Sequence, residues 1–138
     1  MNNNRGIDPD KINTTSLAFV GDAVYEIYIR KHVLLSGQTH ADKLHRMSVA
    51  YVRAEAQAAV IKEIKDDLDP KLAALVRRAR NHKSATRPKN ADPVVYKWAT
   101  AFEALIGHLY LKEETEIMEE IIYRAIEIIE REKIPKRK

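Results

Sequence analysis

The chain has 138 residues, enough for one hydrophobic core and too few for two. Apolar residues make up 45% and charged residues 32%, the balance of a folded chain rather than a disordered one. With no cysteine, disulfides, thiolate metal sites and a cysteine nucleophile are all excluded. No run reaches the roughly 18 apolar residues that a membrane span needs. The opening MNNNRGIDPDKINTT also lacks the apolar centre of a signal peptide. The expectation is a cytoplasmic protein with no membrane contact.

A 3.6-residue apolar period and only four glycines predict an all-α fold of about five or more helices, one domain over 1–138. Residues 1–13 read as an N-terminal extension. The first helix is expected from about Ser16 to Leu35, with Thr14, Thr15 or Ser16 as its cap and Ser36-Gly37 as its stop. Its apolar stripe is Leu17, Val20, Val24, Ile27 and Tyr28. A second helix is expected to run unbroken from Ala41 to Lys65. Asp69-Pro70 opens a third, which ends in Arg77, Arg78 and Arg80. Periodicity is lost through NHKSATRPKNAD, residues 81–92. Asp92-Pro93 starts an apolar helix to Leu111, and an amphipathic helix covers Glu114 to Glu132. Residues 133–138 read as a basic tail.

The net charge of +4 conceals an uneven distribution. Lys71, Arg77, Arg78, Arg80, Lys83, Arg87 and Lys89 follow one another with no acid between them. The segment from Lys112 to Glu132 is acidic instead. A basic stretch in a near-neutral chain suits a phosphate-rich partner. It equally suits a solvated face paired with the acidic helix.

Two acids stand where acids are costly. Asp22 lies in LAFVGDAV and Glu103 in AFEALIG, within the two most apolar helices. Each helix also carries a mid-helix glycine, Gly21 or Gly107, which suits close approach of two backbones. Such an approach would set two inward carboxylates side by side. A hard divalent cation, or buried ion pairs to Arg or Lys, would then relieve them. Glu26 sits one turn beyond Asp22 and reads as a surface or interface ion pair. The histidines lack the spacing of a zinc site, and Ser84 and Thr86 have no base beside them. No glycine-rich phosphate loop is present, so no nucleotide cofactor is expected.

Together, LAFVGDAVYEIYIR and YKWATAFEALIGHLYL resemble the two catalytic motifs of the ribonuclease III family. The intervening RRARNHKSATRPKNADP resembles its short class, Mini-ribonuclease III, which has the nuclease domain and no separate RNA-binding domain. The resemblance implies a homodimeric, Mg²⁺-dependent endonuclease of double-stranded RNA, with Mn²⁺ as a possible substitute. It further implies 5′-phosphate and 3′-hydroxyl ends and a role in maturing bacterial large-subunit (23S) ribosomal RNA. The family's motif aspartate and glutamate fall on Asp22 and Glu103 as metal-binding catalytic residues. Its dimer-packing aromatic falls on Phe19. The family's further acids are replaced here by Thr15, Ala18 and Thr100. Without a separate binding domain, duplex contacts would fall to Arg77, Arg78, Arg80, Asn81, His82, Lys83, Ser84, Arg87 and Lys89, which supply phosphate-binding charge and polar groups.

Overall fold

A computed structural model describes residues 5–83 and 90–133. Among them are six α-helices and no strand: α1 (Thr14–Leu34), α2 (Ala41–Val52), α3 (Ala54–Ile64), α4 (Pro70–Asn81), α5 (Pro93–Leu111) and α6 (Thr115–Lys133). The all-α expectation therefore holds. Ser84, Thr86, Arg87, Lys89 and the end of the basic tail lie outside the described residues.

Helix starts follow local chemistry. Asn13 caps α1, accepting from the Ser16 N–H at 2.8 Å, so the cap precedes the three residues expected for it. Thr14 is already helical because the asparagine oxygen reaches the free amides of the first turn. Asp69 and Asp92 cap α4 and α5 as expected, each followed by a proline at the first helical position.

The expected second helix is two helices. Arg53 is extended (φ −64°, ψ 152°), ending α2 and starting α3. Neither proline nor glycine causes the break. The buried Tyr25 hydroxyl donates to the Tyr51 carbonyl at 3.2 Å, satisfying an acceptor that a continuous helix would use itself. The redirected α3 then buries Ala56, Gln57, Val60, Ile61 and Ile64.

Helix α5 is the central element, touching α1, α3, α4 and α6. Its Phe102 meets Tyr25 of α1 edge to face, with ring centroids 4.9 Å apart. The inward face of α1 is Leu17, Gly21, Tyr25, Ile29 and Val33, one residue every four. This corrects the expected stripe, for Ile27 points outward and is 69% exposed. Helix α6 covers the core with Met118, Ile122, Ala125 and Ile129. Residues 8–12 are tied down at the other end of α5, where Asp10 accepts from buried His108 at 2.8 Å and Lys112 at 3.0 Å. No helix among the described residues is long and apolar enough to cross a membrane.

Candidate active site

The site is built where α1 and α5 cross. A side chain on Gly21 would strike the backbone carbonyl of Glu103, and one on Gly107 would strike that of Leu17. Residues 17 and 21 thus lie against 107 and 103, an antiparallel crossing at backbone contact. Only glycine permits this separation, as the sequence suggests.

That contact decides where the acids go. Gly21 faces α5, so Asp22, turned about 100° further round the helix, emerges at the edge of the seam. The expectation of an inward Asp22 is therefore corrected, because its residue is exposed. Glu103 is half-buried beneath it, and the two carboxyl groups share a hydrogen bond. Burial pushes the Glu103 carboxyl up to about 8, reinforced by the charge and the hydrogen bond of Asp22. Gln57 on α3, lying beside Glu103, opposes the rise. Gln57 is 2% exposed, and its Nε2 is buried without a partner of hydrogen-bonding geometry.

No cation side chain neutralises this pair among the described contacts. Glu26, one turn along α1, is held by Arg30 at 3.0 Å on the surface. Two oxygen-donor acids in contact, one unable to ionise easily, fit a hard divalent cation such as Mg²⁺ or Mn²⁺. No cluster of three or more His, Asp or Glu residues suited to a metal occurs among the described residues. Protein ligands would therefore be few, with water completing the shell.

The positions at which the ribonuclease III pattern has further acids are accounted for. Ala18 is 7% exposed, packed into the core one turn before Asp22. Thr15 and Thr100 line a small cleft of about 50 Å³ with Tyr96, Lys97 and His82. The Thr100 hydroxyl is spent on the Tyr96 carbonyl at 2.9 Å. Thr100 lies one turn before Glu103, and the cleft it lines includes neither Asp22 nor Glu103.

The remaining basic residues divide. Arg77, Arg78, Asn81, His82 and Lys83 are exposed. Arg80 is half-buried, stacked over Trp98 at 5.0 Å and bonded through Nε to Asn81 at 3.1 Å. None of these residues pairs with α6 among the described contacts. The acids of α6 engage other groups, Glu119 with Tyr28 at 2.7 Å and Glu130 with His32 and Tyr51 at 2.7 and 2.8 Å. Phe19 is 80% exposed on the outer face of α1, which also carries Ile27 and Leu34.

One residue of this region escapes a reading of motifs alone. Gln57 interrupts an apolar helical face, a signal present in AEAQAAVIKEI.

Residues 15–114 match the Ribonuclease III domain family. The chain is 42% identical over 126 residues to Mini-ribonuclease 3 of Streptococcus pneumoniae, covering 90% of this chain and 98% of that one. It is 44% identical over 114 residues to Mini-ribonuclease 3 of a Thermoanaerobacter species, covering 83% and 80%. A crystal structure of a Fusobacterium nucleatum protein superposes with a TM-score of 0.77 at 37% identity, over 85% of this chain and 93% of that one.

Proposed function

The chain belongs to the ribonuclease III family, in its Mini-ribonuclease III class, and from that premise we propose that it is a divalent-cation-dependent endoribonuclease acting on double-stranded RNA as a homodimer. The observation that carries the reading is the contact between the Asp22 and Glu103 carboxyl groups at the glycine crossing. Mg²⁺ is the proposed cofactor, with Mn²⁺ able to replace it, and Asp22 and Glu103 are its proposed ligands. When bound, the cation neutralises charge on the phosphodiester and lowers the pKa of attached water.

The chain's own groups do the rest. Asp22 meets the substrate from the exposed rim, while Glu103 holds its position from below. Attack by water on phosphorus forms one P–O bond and breaks the bond to the 3′ oxygen, leaving a 5′-phosphate and a 3′-hydroxyl. Arg77, Arg78 and Lys83 bind backbone phosphates, with Asn81 and His82 beside them, since duplex RNA is held chiefly through phosphates and 2′-hydroxyls. Arg80 serves that surface from its stacked position on Trp98, and Ser84, Arg87 and Lys89 complete the set of proposed RNA-binding residues. Phe19, with Ile27 and Leu34, supplies the apolar face for the second copy. A large-subunit ribosomal RNA precursor in the cytoplasm is the proposed physiological substrate.

The test is incubation of a labelled RNA duplex with the protein in Mg²⁺ or EDTA, beside Asp22→Asn. Cutting that requires the metal is expected, with a fall of about a thousandfold or more in the variant while duplex binding persists. Binding without cutting under any divalent ion would instead make the protein a silent RNA-binding relative.

A further inference from the structure

Gln57 is the one polar side chain on the buried face of α3, among Ala56, Val60, Ile61 and Ile64. A buried amide N–H without a partner is unfavourable against an apolar side chain of similar volume. The fold nevertheless places it there, because the break at Arg53 turns the first residues of α3 onto α5 beside Glu103. We propose that Gln57 is a positioning residue for the Asp22–Glu103 pair, its amide N–H steering the Glu103 carboxylate toward a divalent cation. The proposal rests on the metal-dependent reading above.

The chemistry of the side chain suits this task. A lysine or arginine at this point would neutralise the carboxylate and compete with the cation. A third carboxylate would add charge to a pair already in repulsion. An amide donates a hydrogen bond without charge, so it orients Glu103 and leaves the negative charge for the metal. Packing within the fold leaves the buried Nε2 of Gln57 without a partner of hydrogen-bonding geometry, with Glu103 the acid beside it.

The test replaces Gln57 in the full chain with leucine and, separately, methionine, both near its volume and without a donor. Mn²⁺ affinity is measured by calorimetry without RNA, beside the thermal midpoint and duplex affinity in EDTA. The expected result is Mn²⁺ affinity weakened about tenfold, as for loss of an outer-shell partner. The midpoint in EDTA is expected to be unchanged or raised, and duplex affinity unchanged. The turnover lost at low Mn²⁺ should return at high Mn²⁺. Unaltered Mn²⁺ affinity in both variants would overturn the proposal while leaving the nuclease reading intact. A lowered midpoint in both would overturn it in favour of a packing role. Absence of Mn²⁺ binding by the unmodified protein would overturn the underlying metal reading, and the proposal with it.

Discussion

The crossing of α1 and α5 and the basic face of α4 both present charge, yet they are built in opposite ways. At the crossing, backbone meets backbone through Gly21 and Gly107, and the carboxyl groups inherit their positions from that contact. On α4, Leu72, Leu75, Val76 and Ala79 bury one side, and Arg77 and Arg78 stand free on the other. A rigid seam places two groups within hydrogen-bonding reach of each other. A solvated face needs only charge of the right sign, spread over several side chains. The first suits reaction at one phosphorus atom, the second a grip on many phosphates.

The difference makes the seam fragile and the face tolerant. Gly21→Ala or Gly107→Ala drives a methyl group into a carbonyl of the facing helix and should cost about 3 kcal/mol or more, beyond ordinary overpacking. Chemical denaturation measures the loss, and a cost below about 1 kcal/mol would mean the helices part easily. Glycine and acid in the middle of apolar helices are locally unfavourable choices, and that is why this seam was legible in the sequence. The phase of the helix was not, because Gly21 and Asp22 compete for one inward position and packing alone decides between them. The break at Arg53 left no trace either, since the Tyr25 hydroxyl that stabilises it comes from a distant helix. Asp69-Pro70 and Asp92-Pro93 were readable because the cap and the fixed φ are properties of adjacent residues. The outward Ile27 misled the stripe, for an apolar residue can serve a surface other than its own core.

A second experiment sharpens the seam's electrostatics. Glu103 holds its proton up to about 8 in the folded chain, against an ordinary value of 4.5. Between those limits the folded state binds more protons than the unfolded one, so metal-free stability falls as pH rises across that window. Glu103→Gln should lack that fall and melt several degrees above the unmodified protein at pH 8 in EDTA. Parallel melting curves from pH 5 to 8 would show that Glu103 is solvated in the unbound protein.

The smallest effects belong to the basic face. Arg77→Ala and Arg78→Ala should each leave stability within about 0.5 kcal/mol. Each should reduce the salt dependence of duplex binding by about one unit of log–log slope. Filter binding across a salt series reads both numbers. An unaltered slope in the double variant would place the duplex on another surface.

The central claim is that Asp22 and Glu103 form one metal centre. Crystals grown or soaked with Mn²⁺ and measured for its anomalous scattering test it directly. The account predicts an anomalous peak within coordinating distance of both carboxylates. A strong peak elsewhere on the chain, or none at Mn²⁺ concentrations that support cleavage, would contradict it.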